Sequence, residues 1–174
     1  MSYEEDIIQL AENKKDEMFY NTDAGHAKIV LRELMKNAAQ YVYIICCNMG
    51  SDVSNNAPYI EVVEKFLSAD PKREIKILFT NYDDDSFKQT QIAKSFQKYP
   101  EQVSIKALTH GEVIGNKGKP INFTVSDDRA FRMEIDVSEK IAFGNFNKPS
   151  DAIILKNHFE RFFNNPQTRA ISLS

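Results

Sequence analysis

Apolar and polar residues alternate through the stretch from Ile121 to Phe146, and this period of two predicts adjacent strands joined by turns. One side of the predicted strands carries the apolar residues Ile121, Phe123, Val125, Phe131, Met133 and Ile135. The other side carries Asn122, Thr124, Arg132 and Glu134. The polar break Asp127-Asp128-Arg129 divides the stretch into a hairpin, and a further strand can follow it. The polar side is thus available to solvent or to a ligand.

The rest of the chain predicts helices alternating with strands. Helical periodicity predicts helices over residues 3–20, 24–39, 59–69, 86–99 and 151–163, and apolar runs predict strands over 41–47, 74–80 and 103–108. This order predicts an α/β fold: a mixed, mainly parallel sheet with helices on both faces, a C-terminal antiparallel hairpin and a final helix. The final helix is expected to carry Ile154, Leu155, His158, Phe159 and Phe162 on its buried side.

No linker or repeat divides the chain, so one domain over 1–174 is expected, with N-terminal helices at 3–39, a core at 41–163 and a short tail at 164–174. Net charge is −3, which does not favour a nucleic-acid partner, although a local basic patch stays open. No apolar run approaches the roughly 18 residues of a membrane span, and the acidic start MSYEEDIIQL does not resemble a secretory signal. We therefore expect a cytoplasmic protein without membrane binding.

The cysteine pattern does not predict a metal or cofactor. Cys46 and Cys47 are neighbours inside an apolar run, which predicts packed thiols, and no ligand spacing for zinc is present. The run Asp83-Asp84-Asp85 lacks the spacing of a calcium loop and predicts a helix cap.

A binding site is predicted at one edge of the sheet. Asn48, Asn81 and His110 follow three successive parallel strands, whose carboxyl ends line the usual ligand crevice of α/β sheets. Arg129 and Arg132 could hold an anionic ligand or a carboxylate of a protein partner, with Glu134 beside them. The alternatives are that polar residues simply end these strands, and that Arg132 and Glu134 form an ordinary cross-strand or surface ion pair.

The strands YVYIIC, EIKILF and VSIKAL, followed by a loop and a hairpin, resemble the phospholipase D-like fold of the HxKxxxxD phosphodiesterases over roughly residues 24 to 163. The resemblance implies a His-x-Lys pair on the strand before the hairpin, with Asp five residues after the Lys. Aligning Asp127 with that Asp puts Asn122 at the Lys position and Pro120 at the His position. Hydrolysis needs a nucleophilic imidazole and a cation for the phosphoryl oxygens, which Pro and Asn do not supply.

The resemblance therefore implies a degenerate member that is not an enzyme of this type and serves as a binding, sensing or protein-interaction module, in a larger system or as a homodimer. Two alternatives stay open: a phosphodiesterase or nuclease using His110 with Asp127, Arg132 and Glu134, and a purely scaffolding subunit. A second His-x-Lys, His26 and Lys28 with Glu33, has helical periodicity and precedes the first predicted strand. Because residues i and i+2 diverge on a helix, we expect no phosphodiesterase centre there.

Overall fold

The computed structural model describes residues 1–109 and 121–174, so His110 and Pro120 lie outside the described residues. Within these ranges the strands are β1 (Met18–Asn21), β2 (Tyr41–Cys46), β3 (Glu74–Phe79), β4 (Val103–Leu108), β5 (Asn122–Ser126), β6 (Ala130–Asp136), β7 (Ile141–Asn145) and β8 (Thr168–Ala170). They form one sheet in the order β1-β7-β6-β5-β2-β3-β4-β8. β2, β3 and β4 are parallel neighbours, and the other pairs are antiparallel. The predicted mixed α/β sheet with its C-terminal hairpin is confirmed, and its parallel part is confined to three strands.

Helices cover both faces of this sheet. They are α1 (Tyr3–Glu12), α2 (Ala24–Lys36), α3 (Ala57–Ala69), α4 (Asp84–Lys88), α5 (Gln91–Phe96) and α6 (Pro149–Phe163). Val42 and Ile44 pack in a core with residues of α2, α3 and α5, whereas Tyr41, Tyr43 and Ile45 pack in a second core with α6. Successive β2 side chains point to opposite faces, and both faces are covered, which explains the uninterrupted apolar run. We call the two sides the α2 face and the α6 face.

The N-terminal region differs from the predicted helix over residues 3–20. α1 ends at Glu12, and the amides of Lys14 and Lys15 donate to the carbonyls of Ala11 and Leu10. This is the Schellman pattern, with Lys14 at φ 48° in the position that usually holds glycine. No glycine marks the end of α1, so the sequence predicts that the helix continues to residue 20. In the structure, Met18–Asn21 form β1, an edge strand that pairs with β7.

Three smaller differences concern the later helices and the tail. The helix predicted over 86–99 is two helices, because the Thr90 hydroxyl accepts from the Ala93 amide and starts α5. On α6, Leu155, Phe159 and Phe162 pack on the sheet as predicted, but Ile154 and His158 are exposed. The tail contributes β8, which pairs with β4 at the other edge of the sheet.

The hairpin between β5 and β6 is fixed by its two turn aspartates. Asp127 and Asp128 both have φ 54°, the left-handed region that Asp tolerates better than most residues. The Asp127 carboxylate accepts from the backbone amides of Ala39, Gln40 and Tyr41 at 2.7, 2.8 and 3.2 Å. This carboxylate therefore fastens the turn to the segment that enters β2.

Candidate ligand-binding site

A row of polar side chains crosses four strands on the α2 face. The strand registers align Asn21 of β1, Ala142 of β7, Glu134 of β6 and Asn122 of β5. Arg132 lies two residues before Glu134 and therefore points to the same face. This face is covered by helices, so Arg132 and Glu134 are only 4% and 7% exposed. Arg132 and Glu134 do form an ion pair, which was one of the alternatives, but it is buried and not at the surface, because the helix layer covers it.

Hydrogen bonds connect this row. Arg132 Nε donates to Asn21 Oδ1 at 2.8 Å, and Arg132 Nη2 donates to Glu134 Oε1 at 3.3 Å. Asn122 Nδ2 donates to Glu134 Oε2 at 3.0 Å. Asn21 Nδ2 in turn donates to the Lys140 carbonyl oxygen, which is why a fully buried carboxamide is tolerated at this edge strand. The guanidinium is thus held in one orientation from both sides.

A cavity of about 70 Å³ lies against this row, at the carboxyl end of β2. Arg132, Glu134, Asn122 and Thr124 supply its polar floor. Its other lining residues include Leu31 of α2, Tyr59 of α3, Cys46, Lys140, and Asn48, Met49, Ser51, Val53 and Ser54 of the loop after β2. The cavity therefore combines a buried charged floor with an apolar wall, which is the usual composition of a small-molecule site.

The loop after β2 is anchored on both sides of the cavity. Asp52 forms an ion pair with Lys28 of α2, and the Asn55 side chain accepts from the Ile92 amide of α5 at 3.0 Å. Ser54 Oγ donates to the Met49 carbonyl oxygen at 3.1 Å within the loop. These contacts hold the loop over the polar row.

The electrostatics of the floor follow from burial. Burial lowers the pKa of the Arg132 guanidinium, and the Glu134 carboxylate opposes this shift. Burial also raises the pKa of the Cys46 thiol, so Cys46 contributes a neutral thiol to the cavity wall. Arg132 stays cationic at neutral pH because a guanidinium does not deprotonate in proteins. Neither cysteine forms a disulfide.

The structure brings together three of the six residues predicted for the site: Asn48, Arg132 and Glu134. Asn81 is exposed and does not line the cavity. Arg129 lies at the opposite edge of the sheet, where it donates to the carbonyl oxygens of Phe146 and Asn37 at 2.6 and 2.8 Å. His110 lies outside the described residues. Arg129 directly precedes β6, three residues before Arg132; it ties backbone segments together and does not line the cavity.

Sequence reasoning missed Asn21 and Lys140, and it placed Asn122 on the polar side of the hairpin without naming it as a site residue. The alternation of β5 did place Asn122 on the polar side with Arg132 and Glu134, so that signal was present. No comparable signal marks Asn21, because the sequence predicts a helix up to residue 20 and a polar break that begins at Asn21. The second His-x-Lys pair lies on α2, where Asp23 caps the helix at the His26 amide and Lys28 pairs with Asp52.

A larger groove of about 810 Å³ lies between α5, β4 and the C-terminal residues. Its lining is Phe96, Gln97, Pro100, Val103, Ile105, Ala170, Ile171, Ser172, Leu173 and Ser174. None of the lining residues that the structure describes has a charged side chain, so this described lining lacks groups that orient a charged ligand. The smaller charged cavity is therefore the better candidate site.

Neither known protein families nor curated proteins gave a match to the sequence. Solved structures do share the fold. TrmBL2, an archaeal chromatin protein whose structure shows a novel mode of DNA binding, superposes with a TM-score of 0.65 at 11% identity, over 97% of this chain and 60% of TrmBL2. Nuc from Salmonella typhimurium, a phospholipase D family member, gives 0.58 at 10% identity, over 89% of this chain and 99% of Nuc.

NucT from Helicobacter pylori gives a TM-score of 0.57 at 11% identity, over 89% of this chain and 100% of NucT. The chain thus spans nearly all of Nuc and NucT but about three fifths of TrmBL2. These likenesses show a phospholipase D-like fold, as the resemblance of the strands predicts. In residues 1–109 and 121–174, no helix combines the length and apolar character needed to cross a membrane.

Proposed function

We propose that this chain is a phospholipase D-like binding module without phosphodiesterase chemistry, and that its cavity takes a small anionic ligand. The observation that carries the proposal is the buried guanidinium of Arg132. Its Nη1 group donates to no residue that the structure describes, although the side chain lines the cavity. Nη1 is not among the fully buried atoms that lack a partner, so this cationic donor is accessible from the cavity and can meet water or a ligand there.

The charge of the lining supports an anion. Arg132 and Lys140 are its cations and Glu134 is its anion, among the lining residues that the structure describes. Lys140 is half-buried, and its ammonium forms no ion pair with a described residue. Arg132 and Glu134 compensate each other at 3.3 Å, which leaves the Lys140 charge in excess. An anion that enters the cavity therefore meets a net positive lining.

Two contacts support a non-catalytic role. Asn122, at the position where the resemblance expects lysine, is a neutral carboxamide that donates to Glu134. Asp127, at the position of the family aspartate, is occupied by three backbone amides. Neither residue supplies a cation for phosphoryl oxygens. We further propose that the module works as the sensing part of a larger system, in line with degenerate members of this fold.

TrmBL2 binds DNA, but for this chain DNA binding is less well supported than binding of a small anion. The basic side chains on the outer face of α2 are neutralised: Lys28 pairs with Asp52, Arg32 with Glu4, and Lys36 with Glu12. With net charge −3 as well, the helix offers no unpaired basic stripe for phosphates.

The proposal is tested by titrating the protein with inorganic phosphate and with acetate in a calorimeter, and repeating the titrations with Lys140→Gln. Removing this half-buried charge should weaken binding about fivefold, since an interaction of about 1 kcal/mol is lost. Lys72→Gln is the matched control, because Lys72 is an exposed lysine at the opposite edge of the sheet. The proposed site is refuted if neither phosphate nor acetate binds. It is also refuted if Lys140→Gln and Lys72→Gln weaken binding equally.

A second assay addresses hydrolysis. Bis-p-nitrophenyl phosphate is incubated with the protein, with and without Mg²⁺ or Mn²⁺, and no turnover is expected. Turnover that Glu134→Gln abolishes would overturn the binding-module proposal and favour the phosphodiesterase alternative.

A further inference from the structure

The hydrogen-bonding capacity of the cavity floor specifies more than a negative charge, provided that the proposed site is correct. A guanidinium has five N–H donors, and Arg132 uses one on Nε and one on Nη2 for described residues. An ionised carboxylate offers about four acceptor positions, and Glu134 uses one on each oxygen for Arg132 and Asn122. The floor therefore retains donors and acceptors side by side. A ligand with acceptors alone would leave the remaining acceptor positions of Glu134 without donors.

The spacing of these groups requires the ligand's acceptor and donor to be close together. Arg132 Nη2 and Glu134 Oε1 are 3.3 Å apart, so a group on the guanidinium lies next to a group on the carboxylate. A carboxylate with a hydroxyl or ammonium group on its α-carbon presents an acceptor and a donor at this close spacing. We propose that the cavity binds a two- or three-carbon α-hydroxy or α-amino carboxylic acid, with its carboxylate on Arg132 and its α-substituent on Glu134.

The size of the cavity limits the carbon chain. Its volume is about 70 Å³, a few times the roughly 10–15 Å³ that a cavity needs to hold one water, so a ligand of a handful of non-hydrogen atoms suits it. A three-carbon hydroxy or amino acid has about that number of atoms. Leu31, Met49 and Val53 supply an apolar wall for its methyl group. A nucleotide or an intact phospholipid is much larger and would place only a part of itself in this cavity.

The test compares L-lactate, L-alanine and propionate, which share a three-carbon acid skeleton and differ at the α-carbon. Each is titrated calorimetrically into the unmodified protein, so that this comparison depends on no variant. The acid whose substituent bonds Glu134 should bind about tenfold more tightly than propionate, because a hydrogen bond to a charged group is worth roughly 1.5–3 kcal/mol. Preference for alanine identifies an ammonium ligand, and preference for lactate a hydroxyl ligand. Either preference supports the inference.

Glu134→Gln provides an independent check of the contact. The neutral amide keeps one acceptor oxygen, so the preference over propionate should fall to about threefold or less while binding of acetate persists. The control is Glu101→Gln, which removes an exposed carboxylate near the start of β4 and should leave the preference over propionate unchanged. Denaturant unfolding of each variant verifies that it is folded.

The outcomes separate this inference from the proposed function. If propionate binds as tightly as both substituted acids, the site is a simple anion site and the ligand class is wrong. If phosphate or acetate binds but none of the three acids does, the ligand class is again wrong. If phosphate, acetate, lactate, alanine and propionate all fail to bind, the proposed function itself fails.

Discussion

Asp127 gives the sharpest test of whether the hairpin turn is structural or part of a ligand site. Replacing Asp127 with Gly removes the three hydrogen bonds to the amides of Ala39, Gln40 and Tyr41. Glycine adopts φ 54° without steric cost, so the change removes the carboxylate and keeps the turn. The fold predicts a loss of stability without a loss of ligand binding.

The magnitude follows from the exposure of the three amides. Hydrogen bonds to a charged group contribute roughly 1.5–3 kcal/mol each, but Ala39 and Gln40 lie at the surface, where water replaces the carboxylate. The Tyr41 amide belongs to a buried residue, so water does not replace the carboxylate there and most of the energy of this hydrogen bond is lost. We expect Asp127→Gly to lower the free energy of unfolding by about 2–3 kcal/mol, which corresponds to a fall in Tm of about 5–10 °C for a domain of this size.

The measurement is urea unfolding followed by far-ultraviolet circular dichroism, combined with the phosphate titration. Lys14→Gly is the matched control, because Lys14 also has positive φ but lies at the exposed end of α1. It should be neutral or stabilising by up to about 1 kcal/mol, since glycine is favoured at this position. A loss below 1 kcal/mol for Asp127→Gly, or abolished anion binding in a variant of unchanged stability, would refute the structural role.

Two further predictions concern β7 and the turn. Gly144→Ala should lower the free energy of unfolding by at least about 2 kcal/mol in the same urea assay. The new methyl group would overlap the Phe131 carbonyl oxygen and come within 2.5 Å of Phe19 Cζ. Unchanged stability would contradict the close packing of β1 on β7. Hydrogen bonding from Tyr41 and the Lys156 ammonium lower the pKa of Asp128, so its contribution to stability is present above the unfolded pKa of about 3.9 and is lost as pH falls through the lower folded pKa. The stability of the unmodified protein should therefore fall more than that of Asp128→Asn as the pH is lowered from about 5 to about 2.5, a range that passes through the unfolded pKa of about 3.9. The difference is small because half of the side chain is exposed, and parallel curves would contradict it.

The candidate site changes how the hairpin is interpreted. Its alternation predicted an exposed polar side, and the polar residues were assigned correctly to one side of β5 and β6. Burial of that side depends on α2 and the loop after β2, which pack over the sheet from distant parts of the chain. The same packing turns an Arg–Glu pair of modest surface value into a fixed, desolvated pair.

The amino-acid sequence by itself determined the elements with strong periodicity. Three kinds of local pattern predicted elements correctly: the apolar runs of β2, β3 and β4, the alternation of β5 and β6, and the buried stripe of α6 at Leu155, Phe159 and Phe162. Each pattern reflects how many faces of the element are covered. The order of these elements was enough to predict a phospholipase D-like fold.

The tertiary structure decided which polar residues meet. Asn48, Arg132 and Glu134 come together with Asn21 and Asn122 because β1 pairs with β7 and the loop after β2 folds back over the sheet. Asn21 is 111 residues from its partner Arg132, and β1 lacks a strong strand pattern of its own. Arg129 and Asn81 do not line the cavity, although Arg129 is only three residues from Arg132 in the sequence. Local periodicity reports which face a side chain occupies, whereas long-range pairing and packing fix its neighbours, and these neighbours define the chemistry of the cavity.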